Sequence, residues 1–168
     1  PGGQYTNLRQ QARSLGINEK WPQVAKTYSQ VNQMFGDIIK VTPTSKVVGD
    51  LTLFMITSNI SKEQILDPNT EIAFPKSVIQ LFRGELGQPY GGFPEGLQKK
   101  ILNGNKALTV RPGSILDDID LKQSKEEAEK IVTRSISDQE HASYLMYPEV
   151  FCDYSTHMEE FGDVSKIP

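Results

Sequence analysis

Cysteine is almost missing: Cys152 stands alone, so no internal disulfide can form, and a reducing, cytoplasmic setting is the expectation. No apolar run approaches the length that crosses a bilayer, and no signal-peptide pattern opens the chain, so no membrane association is expected. A surplus of positive charge is lacking as well. Eighteen Lys plus Arg stand against 21 Asp plus Glu, a net charge of −3, which gives no electrostatic footprint for nucleic acid. There is no Cys-x-x-Cys pair, no Gly-x-x-x-x-Gly-Lys phosphate loop and no dinucleotide-binding Gly-x-Gly-x-x-Gly. Only two histidines occur, His141 and His157. Asp153 and His157, four residues apart, have a metal-compatible spacing, but two ligands make no site and a surface ion pair is the plainer expectation. No self-contained active site emerges, and no metal site is expected. A part of a larger enzyme and a helical interaction module both fit. The chain opens at Pro1 without an initiator methionine and reads as a piece of something longer.

What is present is helical pattern. At 168 residues, 37% apolar and 23% charged, the chain suits one soluble domain. A Gly2-Gly3 turn precedes a short helix capped by Thr6 or Asn7, with Leu8, Ala12 and Leu15 on its apolar face. A second helix, from Pro22 onward, carries the stripe Trp21, Val24, Ala25, Tyr28, Val31 and Phe35. A third follows Thr42 with Val47, Val48, Leu51, Phe54 and Met55. Ser61 with Gln64 and Ser137 with Glu140 fit capping boxes, Gly84 is placed to stop the helix begun by Pro75, and Asn103-Gly104 stops the next. Glu126 and Lys130 are spaced for an intrahelical pair. The last helix, from Pro148, carries Val150, Phe151, Tyr154, Met158 and Phe161 on one side. Seven or eight short helices, almost without alternating patterns, predict a mainly α, irregular multi-helix domain. A sub-division is possible near the charged stretch 114–135.

Between these lies Gly84 to Pro94, whose glycines and prolines exclude regular structure. Its Tyr90 and Phe93 could form a binding loop or plug the domain edge. Arg111, beside a Pro-Gly turn, could hold an anion or make a structural contact. Asp117, Asp118 and Asp120 read as a solvated acidic face before a helix.

The richest stretch is Asp37 to Asp50. Pro43 at a first helical position makes Thr42 the expected N-cap. Free N–H groups of that terminus, the hydroxyls of Thr42, Thr44 and Ser45 and the Lys46 ammonium would converge on one spot suited to a polar or anionic ligand. Ordinary capping explains the same residues without a ligand.

Four separated motifs then bear on identity. Pro1-Gly2-Gly3-Gln4-Tyr5-Thr6-Asn7-Leu8, Val41-Thr42-Pro43-Thr44-Ser45-Lys46-Val47-Val48-Gly49-Asp50, Gly87-Gln88-Pro89-Tyr90-Gly91-Gly92-Phe93-Pro94 and Arg111-Pro112-Gly113 resemble, in order, the carboxyltransferase region of the pyruvate carboxylase family. The wider group includes oxaloacetate decarboxylase α subunits and a transcarboxylase subunit. The end of the chain, from Ser143 to Phe151 with Phe161-Gly162-Asp163-Val164-Ser165, looks more like the pyruvate carboxylases. This resemblance implies a helical funnel that follows a TIM-type barrel lying outside these residues. It implies biotin carried on a separate domain, a divalent metal bound upstream, ATP used elsewhere, pyruvate and oxaloacetate as substrate and product, and a homo-oligomeric, tetrameric parent. By motif position it implies that Thr42 relays a proton, that Ser45 and Lys46 hold the biotin ureido oxygen, and that Gln4 borders the same pocket. The segment alone is expected to be inactive.

Overall fold

A computed structural model describes residues 2–162. Pro1 and the Asp163-Val164-Ser165 motif lie outside the described residues. These hold nine α-helices, two 3-10 turns and no strand, one or two helices more than the seven or eight expected. Two compact units form, Pro1–Leu116 and Asp117–Pro168.

In the first unit the helices are α1 (Gly2–Ser14), α2 (Trp21–Met34), α3 (Thr44–Thr57), α4 (Lys62–Leu66), α5 (Lys76–Arg83) and α6 (Glu95–Leu102). The Gly2-Gly3 pair begins α1 rather than forming a turn before it. Leu8 and Ala12 are buried as expected, whereas Leu15, beyond the last turn, is half exposed. The organising element is α3, which packs against α1, α2 and α5. Its Val47, Val48, Leu51 and Met55 enter a large core with Val31, Phe35, Val78, Phe82 and Ile101. Its Leu53 and Ile56 turn to a second cluster with Leu8, Ala12 and Val24. One helix thus serves two cores, so apolar residues surround most of it. The buried Thr52 is tolerated because its hydroxyl donates to the Val48 carbonyl at 2.7 Å.

Local signals behave as their chemistry requires. Ser61 and Gln64 form a reciprocal capping box before α4. Gly84 ends α5 at φ 91°, a left-handed conformation that a side chain would oppose. In the loop that follows, the two aromatics part company. Phe93 stacks on Phe82 at 4.4 Å between ring centroids, while Tyr90 is fully exposed.

The second unit contains α7 (Leu121–Val132), α8 (Asp138–Met146) and α9 (Pro148–Phe161), with Ala128, Val132, Ile136 and Phe151 as its core. Asp120 caps α7 by accepting from the N–H groups of Lys122 and Gln123, both at 3.0 Å. The expected Glu126–Lys130 pair is not among the ion pairs of the described residues; Gln123 binds Glu127, and Lys125 reaches across to Asp138 at 2.8 Å. His157 donates its Nδ1 proton to the Asp153 carbonyl at 2.8 Å instead of pairing with that carboxylate. Of the residues read on one side of α9, Phe151 is buried, but Val150, Tyr154 and Phe161 are more than half exposed. A unit of three helices has too little interior for every apolar residue of its last one.

Ser137 and Glu140 form the second capping box, and Glu140 also accepts from Arg134 at 2.7 Å. The Arg134 hydrogen bond, followed by those of Ser137, lowers the Glu140 carboxyl from 4.5 to about 2. A carboxyl depressed in the folded state stabilises it fully above its unfolded value, and that contribution fades as pH falls from about 4.5 through about 2. Glu140→Gln keeps the cap geometry and removes the charge. It should therefore destabilise α8 at neutral pH and narrow its gap to the wild type across that acidic window, as read by hydrogen exchange at α8 amides. A gap independent of pH would contradict the assignment.

Candidate functional site

The start of α3 is displaced by one residue from its expected place. Pro43 is the N-cap, after a cis Thr42–Pro43 peptide bond, and no side chain caps the helix. Thr44, not Thr42, holds the entry turn: its Oγ1 accepts from the Val41 N–H at 3.0 Å and can donate to the Ile39 or Val41 carbonyl, at 2.8 and 2.7 Å. The competition was invisible in sequence because either threonine can bond locally. Thr42 is left exposed.

The convergence of free N–H groups is not found. The Ser45 N–H donates to the Val41 carbonyl at 3.0 Å, and the Lys46 N–H to that of Pro43 at 3.0 Å. A preceding α-turn thus takes up donors that an anion would have needed. Side chains remain: Ser45 is buried, and Lys46 projects with its ammonium 2.8 Å from Asp50.

Gln4 comes to the same helix from α1. A Cβ built on Gly49 would stand 2.5 Å from Gln4 Nε2 and 3.2 Å from Leu8 Cδ1. Only a residue without a side chain lets the amide lie there. Gly49 follows Ser45 by four residues and shares its face of α3. The other side of Gln4 borders a cavity of about 200 Å³, lined also by Tyr5, Leu8, Trp21, Ala25 and Tyr28. Tyr28 links this cavity to the helix start, because its hydroxyl donates to the Ser45 carbonyl at 3.2 Å. Burial raises its pKa above the ordinary phenol value, so it remains a neutral donor. The far wall is braced by Tyr5 edge-on to Trp21 at 5.2 Å. Arg9 lies over Trp21, 5.5 Å from its ring centroid, and donates to the Tyr5 hydroxyl at 2.8 Å.

Ser45 and Lys46 therefore stand in the first turn of α3, with Thr42 just before it, and Gln4 meets the helix about one turn further on, at Gly49. Sequence reasoning missed Tyr28, read as a core residue on the α2 stripe; the stripe is real, but its hydroxyl partner lies 17 residues away. Among the described residues no group of three or more His, Cys, Asp or Glu is placed to hold a metal ion, and no helix is long and apolar enough to cross a membrane.

Known proteins with similar sequences and folds share this arrangement of elements. The conserved carboxylase domain family matches residues 1–168. Pyruvate carboxylase of Bacillus subtilis is 47% identical over 99% of this chain, which spans 14% of that relative. Pyruvate carboxylase 1 of Caenorhabditis elegans is 44% identical over the full chain, again 14% of its own length. Among solved structures, the carboxyl transferase domain from Rhizobium etli pyruvate carboxylase with pyruvate and biocytin superposes with a TM-score of 0.93 at 52% identity. The match covers 100% of this chain and 28% of that one. The complete multifunctional enzyme from the same organism gives a TM-score of 0.92 at 52% identity, with 16% of its chain covered. With a family match from end to end, the chain belongs to the conserved carboxylase domain family.

Proposed function

We propose that this chain is the helical part of a biotin-dependent pyruvate carboxylase. In that enzyme the carboxyl group moves from carboxybiotin to pyruvate, giving oxaloacetate, and these helices supply the biotin pocket and the proton-relay threonine. The observation that carries the reading is the meeting of Gln4 with the Ser45 face of α3, at Gly49, beside the apolar cavity. Gln4 and Ser45, far apart in sequence and each implied by a separate motif, come to the same face of the N-terminal half of α3. The relatives' names and the solved complex with pyruvate and biocytin support the same assignment.

The donor set suits biotin. A neutral bicyclic ring with one ureido group needs mostly apolar walls and a few convergent polar groups. The cavity offers aromatic walls with the Gln4 amide, and the Ser45 hydroxyl and Lys46 ammonium stand at the adjoining helix end. Bound biotin would supply the carrier chemistry, accepting and releasing a carboxyl group at a ring nitrogen. Ser45 and Lys46 would donate toward the ureido oxygen, where negative charge develops, each donor contributing roughly 3 kcal/mol in a site of oxyanion-hole type. Thr42 would take up a proton at Oγ1 while releasing its own, so the hydroxyl relays without ionising. The metal, ATP and carrier domain of such an enzyme would belong to other parts of it, as would its barrel and its oligomeric contacts.

Gly49→Ala in the full-length enzyme tests the pocket. Alanine suits a helix better than glycine by about 1 kcal/mol, and the Gln4 amide is the flexible end of a side chain that can swing aside. Stability should hold. Displacing the amide would remove the hydrogen bond proposed between it and bound biotin, so the KM for free biotin, accepting carboxyl from oxaloacetate in the reverse direction, should rise about ten-fold. An unchanged KM beside normal turnover would overturn this end of α3 as the biotin pocket.

A further inference from the structure

Lys46 does not stand alone at the helix end. Its Nζ lies 2.8 Å from Asp50 Oδ2, and the same oxygen accepts a hydrogen bond at 2.7 Å from Ser77 Oγ of α5. The Asp50 side chain is only 18% exposed and that of Lys46 62%. The carboxylate is thus the fixed member of the pair and the ammonium the reaching one.

Helix stability is a poor reason for this arrangement. With the cation four residues before the anion, the pair runs in the less favourable order for an α-helix. Asp50 also sits beyond the first turn, where the helix dipole rewards a negative charge. A mostly buried carboxylate is costly unless paired and hydrogen-bonded. Here the charge partner is the residue at the pocket and the hydrogen-bond partner belongs to another helix. The Ser77 bond, 27 residues away in sequence, ties the carboxylate to a second helix, α5.

Resting on the reading of Lys46 as a biotin donor, the geometry points to Asp50 and Ser77 as positioning residues for the biotin-dependent transfer. Ser77 pins Asp50, and Asp50 holds the Lys46 ammonium where the ureido oxygen arrives. A long, flexible cation restrained in advance loses less freedom on binding and reaches the developing charge in one geometry. Neither Asp50 nor Ser77 needs to touch biotin. Their effect passes entirely through Lys46, which separates the proposal from a general role in packing.

The test is a double-mutant cycle in the full-length enzyme, reading the KM for free biotin in oxaloacetate decarboxylation alongside turnover. Lys46→Ala should raise that KM, and Asp50→Asn should raise it about five-fold, the upper range for a partly exposed ion pair. In the Lys46→Ala background Asp50→Asn should add nothing. Ser77→Ala should raise the KM about two-fold, the size of a modest hydrogen bond, with Ser77→Thr restoring it. An unchanged KM in Asp50→Asn, or an Asp50→Asn effect that persists without Lys46, would overturn the proposal. If Asp50→Asn does not fold, the Ser77 variants decide, and a silent Ser77→Ala overturns it. A silent Lys46→Ala would instead remove the reading on which the proposal rests.

Discussion

Thr42→Ala in the full-length enzyme should lower pyruvate carboxylation by about 100- to 10,000-fold, the range set by loss of a positioned proton-transfer group. ATP-dependent charging of biotin, performed elsewhere in such an enzyme, should continue. The reason for expecting a selective loss lies in what the structure asks of each threonine. Thr44 holds the entry to α3 through Val41 and the neighbouring carbonyls. Thr42 is exposed, and the helix has no side-chain cap. Removal of its hydroxyl therefore costs little in local structure, since no buried group loses a partner. Thr44→Ala is the informative control, because it should disturb folding of the entry turn along with activity. A Thr42→Ala enzyme that still carboxylates pyruvate at a normal rate would refute the relay. One that loses biotin charging in parallel would point to a folding defect.

Much of the architecture was legible because its signals are local. Ser61 with Gln64 and Ser137 with Glu140 are read off four consecutive residues and form as read. Gly84 ends its helix for the conformational reason that marked it. Errors gathered where tertiary contacts choose between local alternatives. Whether Thr42 or Thr44 would serve the α3 entry depended on which hydroxyl the incoming chain, Ile39 to Val41, presents itself to. The anion-binding terminus failed because that incoming chain also turns back through Val41 and occupies the Ser45 N–H.

The same division holds for the candidate site. Motif resemblance pointed to Gln4, Ser45 and Lys46, but nothing local required Gln4 to reach α3. The bare flank of Gly49 is what permits it, and Gly49 read in sequence only as part of a motif. Tyr28, Asp50 and Ser77 joined the neighbourhood through hydrogen bonds spanning many residues, 17 for Tyr28 and 27 for the Asp50–Ser77 pair. Periodicity had already assigned Tyr28 to the core, and the assignment is compatible with its second role: an aromatic body packs while its hydroxyl finds a partner.

The Gly/Pro loop yields the second large effect. Phe82 is wholly buried, edge-on to Phe35 at 4.8 Å and stacked with Phe93 at 4.4 Å. Phe82→Ala removes the ring that both others rest on and should cost about 3–5 kcal/mol, the lost transfer energy plus that of the cavity. Hydrogen exchange in the full-length enzyme should report this as protection lowered by more than about 100-fold at α5 and α6 amides. Amides of α7 to α9 belong to the other compact unit and should be unaffected. Tyr90 rides on the same loop with its side chain fully in solvent, and Tyr90→Ala should leave protection at α5 and α6 unchanged, as surface substitutions usually stay within about 0.5 kcal/mol. If both variants lowered protection equally, the loop itself would be the stabilising element. The expected contrast instead assigns the stability to the aromatic stack and not to the exposed Tyr90 ring.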